Sequence, residues 1–164
     1  MNRPLATRPP SGKRPAARSR YDADFYGWAM EQASLLKAGR VSEVDAANLA
    51  EEVTDLGNEQ YDKLQSALAI LLTHLLKWDQ QTAMRSRSWE STIREQRRRV
   101  QRVLAKNPGL QPRRDEAVSE GYLDARDRAS AETDIDVDAF PARCPYAWEE
   151  IIAREVKYDP SSRR

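Results

Sequence analysis

Glu31, His74 and Arg97 are the residues of this 164-residue chain whose types could act on a substrate together. A carboxylate can serve as base or ligand, an imidazole as acid, base or ligand, and a guanidinium as an anion clamp. Each stands where a helical wheel expects an apolar side chain. Glu31 and Gln32 fall about 40° and 60° to either side of Leu35, and Arg97 lies about 40° from Ile93. His74, the only histidine, sits among Ala67, Ile70, Leu71 and Trp78. Facing helices can gather such residues into one site. Yet the chain has no EXXH pair, no nucleophile motif and no phosphate loop. The favoured reading of Glu31, Gln32, His74, Gln96 and Arg97 is therefore a buried polar cluster that sets the register of packed helices. In it His74 is satisfied by a carboxylate or carbonyl, and Arg97 by a buried acid. An enzyme or ligand site around Glu31, His74 and Arg97 is an alternative, and catalysis is the lesser expectation. No cofactor and no metal are expected.

Three further groups could carry chemistry. Arg94, Arg98, Arg99 and Arg102 make an outward basic face, with Lys106, on a helix predicted over 89–106. Guanidinium groups at helical spacing can track phosphates, so this face is the candidate for an anionic partner, with Arg85, Arg87 and the basic N-terminus in support. No nucleic-acid reading motif accompanies it. The rival is a solvated face paired with the acids Glu51, Glu52, Asp55, Glu59 and Asp62. Those acids invite a metal hypothesis, but Glu52 and His74 are ~33 Å apart along an unbroken helix. The lone Cys144 precedes Pro145, which suits the first position of a final helix, and a helix N-terminus can lower a thiol pKa. Without a nucleophile motif, a structural cysteine is favoured.

The stretch that must position these residues is LQSALAILLTHLLKW, residues 64–78. Around Leu71 its apolar arc is roughly 240° wide, with Ser66, Ala69, Thr73 and Lys77 in the remaining wedge. Such a helix has to be covered on most sides. It is not a membrane span, because lysines bracket it and its polar residues interrupt the ~20 apolar residues a bilayer requires. Leu49, Val53, Leu56 and Gln60 keep the same phase upstream. One helix from Ser42, with Asp45 completing a capping box, to about Thr82 is the simplest reading, and a break at Gly57 its rival.

Other elements follow from local signals. A first helix runs from Asp22, its cap, to Ala38, with Gly39 just past its end. Ser88 caps the helix that ends at Asn107-Pro108-Gly109. A helix over 111–131 and a short final helix carrying Trp148, Ile151, Ile152 and Val156 complete the set. The fold class is all-α: an irregular bundle of about five helices around one long central helix. Residues 21–158 read as one helical domain, with 1–20 as a disordered basic tail and 159–164 as a disordered end.

Composition bounds the rest. Residues 1–20 carry six basic and no acidic side chains, leaving −5 for the remainder of a chain whose net charge is +1. A net-acidic body argues against general nucleic-acid binding. One cysteine excludes an internal disulfide, and no apolar signal core follows the basic start, so a cytoplasmic location is expected.

The blocks DFYGWAMEQASLLKAGR, NLAEEVTDLG, LLTHLLKW, RSRSWESTIREQRRR and FPARCPY, in this order, resemble the bacterial family called domain of unknown function twenty-nine. The resemblance covers about Tyr21 to Pro160. It implies a compact helical protein and brings no activity, ligand or catalytic residue. Members often place proline where this chain has Thr82, which implies a later end for the long helix here. The leading functional expectation is a protein–protein interaction module, homodimeric by economy, because neighbouring helices of ~25–30 Å cannot alone cover a ~60 Å rod. Nucleic-acid binding through 89–106 is the second.

Overall fold

The computed structural model describes residues 20–163, in which every regular element is helical. The expected basic tail, save Arg20, lies outside the described residues. The elements are α1 (Arg20–Ala23), α2 (Phe25–Lys37), α3 (Ala46–Gln80), α4 (Arg87–Lys106), α5 (Arg114–Thr133) and α6 (Trp148–Ala153), joined by short 3-10 turns. None of these helices is long and apolar enough to cross a membrane. The chain forms two compact units, the first ending at Val53 and the second starting at Thr54. α3 belongs to both and is unbroken through Gly57.

In the first unit the expected first helix is two. Asp24, rather than Asp22, is the cap: its carboxylate accepts from Gly27 N at 2.9 Å and opens α2. α2 ends as Gly39 takes φ +69°, the left-handed turn that glycine adopts without strain. Ser42 does not cap α3. A 3-10 turn at Val41–Glu43 intervenes, and the Asp45 carboxylate accepts from Asn48 N and its side-chain amide instead. Trp28 donates to Asp45 Oδ2 at 3.3 Å, and its ring stacks edge-on with Tyr21. The Tyr21 hydroxyl donates to Glu52 at 2.5 Å. Trp28 and Gln32 are the buried residues of α2, and α1 has none.

The second unit holds the core. From Tyr61 to Trp78, twelve residues of α3 are buried, and Leu64, Leu68, Leu71, Leu72 and Leu75 have no exposure. Of the polar wedge, Ser66 is exposed, while Ala69, Thr73 and Lys77 are buried. Thr73 is satisfied by donating to Ala69 O at 2.8 Å, and Lys77 by pairing with Glu132. α5 lies parallel to α3: Tyr61 donates to Glu120, Gly121 abuts Gln65 and Ala69, and the Gln81 amide reaches Thr133 O. A Cβ at Gly121 would stand 3.2 Å from backbone atoms of α3, so glycine permits this close approach.

α4 starts at Arg87, two residues earlier than predicted, and its cap is Ser86 rather than Ser88, with Ser86 Oγ accepting from Trp89 N. Its buried face is Ile93, Gln96, Val100 and Leu104. α5 is preceded by a 3-10 turn at Pro108–Arg113. Pro145 does not begin the final helix, which starts at Trp148 and is six residues long. The chain before it is irregular and is tied down by Tyr122, donating to Pro141 O, and by Tyr146, donating to Asp79.

Candidate functional site

The five polar residues expected at core positions each find a different environment. Glu31 is exposed on α2 and pairs with Arg20 at 2.8 Å, so it is not a buried carboxylate. Its position at the edge of the α2 inner face lets it swing to solvent. Gln32, on the same helix, is buried, and its Oε1 accepts from Asp45 N at 2.7 Å. It thereby ties α2 to the start of α3. His74 is half-buried and donates from Nδ1 to Ile70 O at 3.0 Å, which leaves Nε2 as the acceptor nitrogen. Burial lowers its pKa most; the Ile70 carbonyl opposes this, and the charge of Lys77 adds to it. Gln96 is buried with its Oε1 unpartnered among the described residues.

Arg97 pairs with no acid among the described residues. It donates from Nε to Ile151 O at 2.8 Å and from Nη2 to Glu150 O at 3.2 Å. The last carbonyls of a helix lack partners within it, as for Ile151 O, whereas Glu150 O also accepts from Arg154 N at 3.2 Å. Burial, then the nearby charge of Arg154, lowers the pKa of Arg97. Among the described residues, no group of three or more His, Cys, Asp or Glu side chains is placed to hold a metal ion.

The basic face of α4 is lightly neutralised. Arg94 touches Glu90 at 3.4 Å, while Arg98, Arg99 and Arg102 enter no ion pair among the described residues. Two of the α3 acids are engaged locally: Glu52 accepts from Tyr21, and Glu59 pairs with Lys63 at 2.9 Å. A cleft of about 450 Å³ runs along α4, walled on the other side by residues 152–156.

Cys144 lines a second, mostly apolar cleft of about 580 Å³ between α5 and the segment 142–151. Its thiol lies 3.8 Å from Tyr146 O, and burial pushes its pKa up, so this is not an activated thiolate. The final helix begins too late to act on it.

Several polar arrangements escaped the sequence reading. Lys77 is buried with its ammonium 4.5 Å from the centre of the Trp89 ring. Asp79 accepts two bonds from Arg154, at 3.0 and 3.1 Å, and one from Tyr146. Burial and the Asp79 carboxylate raise the Tyr146 pKa, and burial with Glu120 raises that of Tyr61. A lysine amid leucines was the available signal for the first. The second joins residues 75 positions apart, and no local pattern announces it.

No curated protein and no solved structure matches the chain. The family model described as Domain of unknown function DUF29 matches residues 20–156, most of the chain, and the protein belongs to that family.

Proposed function

We propose that the protein is a non-catalytic interaction module that associates with a second copy of itself through its N-terminal unit. What supports this reading is where the exposed apolar side chains fall. Of the nine large ones among the described residues, Phe25, Tyr26, Met30, Leu36, Val41 and Val53 belong to the first unit. That unit buries only Trp28 and Gln32 within α1 and α2. Tyr26 and Met30 lie about 40° apart on the face of α2 opposite Trp28. Apolar surface concentrated in this way marks interaction sites, and a two-fold dimer covers one patch with its own copy.

Sedimentation velocity of the full chain tests the reading. A concentration-dependent dimer is expected, shifted to monomer by Tyr26→Glu with Met30→Glu while helical circular dichroism is kept. A chain that stays monomeric at ~100 μM, where even a weak dimer would form, sinks it.

A further inference from the structure

We infer that the cleft beside α4 binds a small molecule carrying a phosphate group, with Arg94, Arg97 and Arg98 taking the phosphate. These three recur at three- and four-residue spacing, so they present one flank of the helix to the cleft. Arg154 enters from the opposite wall.

The charge balance of the cleft favours an anion. Four guanidinium groups line it against two carboxylates, Glu90 and Glu155. Arg154 is neutralised by Asp79, and Arg94 is shared with a Glu90 that also accepts from Tyr158 N. Arg97 spends its bonds on neutral carbonyls, so among the described residues it enters no ion pair and its Nη1 makes no bond. Arg98 has no partner among the described residues. Burial, and to a lesser degree Arg154, disfavours the charged Arg97, and a bound anion would offset that cost.

The shape adds the rest of the ligand. The backbone carbonyls hold Arg97 in a fixed orientation, with Nη1 left to donate a charge-assisted bond to an oxyanion. Ile93, Ile152 and Val156 supply an apolar surface beside the arginines. The volume, about 450 Å³, exceeds the need of a bare anion and lies within the ~300–1,000 Å³ of small-molecule sites. A phosphate monoester with a compact apolar body fits both features. A nucleic-acid backbone tracking α4 would instead use Arg99 and Arg102, which do not line the cleft.

Calorimetric titration of the full chain with phenyl phosphate tests the site, with benzoate and a single-stranded oligonucleotide as comparison ligands. Phenyl phosphate is expected to bind more tightly than benzoate. Arg98→Ala, which removes a side chain with no structural partner, should weaken it about tenfold, as loss of a charge-assisted contact does. Arg99→Ala and Arg102→Ala should leave it unchanged. No heat with phenyl phosphate at ~10 mM overturns the inference. So does equal or tighter binding of benzoate. Oligonucleotide binding that falls equally with Arg98→Ala, Arg99→Ala and Arg102→Ala overturns it too, in favour of a face that tracks a backbone.

Discussion

The two parts of α3 share one helical phase and meet opposite fates. Between Ala46 and Gln60 no residue is buried, and Val53 and Leu56 are 60% and 63% exposed. Between Tyr61 and Trp78, twelve residues are buried, including a lysine and a threonine. The same leucine-rich stripe is thus a core in one part and a bare surface in the other. The difference lies in what surrounds each part. α5 lies close enough to α3 at Gly121 to touch its backbone, and Tyr61 and Lys77 bond to its side chains. The earlier part is bonded to residues of the first unit through Glu52 and Asp45, near its start. A stripe of apolar residues therefore establishes that a helix can be covered, and not that it is.

Substitution along this one helix can break or sharpen that contrast. The largest expected effect is Leu71→Ala, which leaves a cavity in a site with no exposure and should cost about 2–5 kcal/mol in urea unfolding. Leu56→Ala should stay within ~0.5 kcal/mol in dilute, monomeric protein. Similar losses at the two positions would abolish the distinction.

His74 gives the next test. Its pKa in the fold lies below the unfolded value of 6.5, so the unfolded chain binds its proton more readily. Its contribution is complete above pH 6.5 and declines as pH falls through the lowered folded pKa. Thermal melts of the protein should therefore shift down as pH falls below 6.5, and His74→Gln should flatten that slope. The lowered carboxylates, Asp45, Glu116 and Asp159, act in a more acidic range, below about pH 4.5. A slope unchanged in His74→Gln would mean that the ring is not desolvated by the core.

The smallest effect is at Gly57, in the exposed part. Nothing lies within 4 Å of a Cβ built there and its φ is helical. Gly57→Ala should stabilise by about 0.5–1 kcal/mol, because alanine loses less backbone freedom on entering a helix. A destabilisation would point to a bend that needs glycine.

Much of the helical layout was legible before any coordinates. The wide apolar arc of 64–78 required burial on most sides, and α3 runs through Gly57 because the phase upstream never slipped. The errors were local choices between equivalent groups. Ser86 and Ser88 are both competent caps, and only the docking of α4 selects between them. Asp22 and Asp24 pose the same ambiguity, which the bond from Gly27 resolves. Pro145 was compatible with a helix start, but Tyr122 of α5 donates to Pro141 O before it and Tyr146 after it donates to Asp79, tying the segment down outside any helix.

The candidate residues were less legible, for a different reason. A helical wheel gives the direction of a side chain and says nothing of what stands opposite. Glu31 and Gln32 are neighbours in sequence, yet one reaches solvent and Arg20 while the other is buried against the start of α3. Arg97 was expected on the apolar side against a buried acid; it is half-buried, and its partners are carbonyls more than fifty residues away.

By itself, then, the sequence determined that the chain is helical, where the long rod runs and which family it belongs to. These depend on periodicity and order along the chain, which are local or linear properties. The tertiary structure alone decided which part of the rod is covered and that the Arg97 charge goes without a carboxylate. It also decided that a basic cleft opens between α4 and the segment after α6. Those depend on which groups meet across long separations, and burial and electrostatic pairing are set by that meeting.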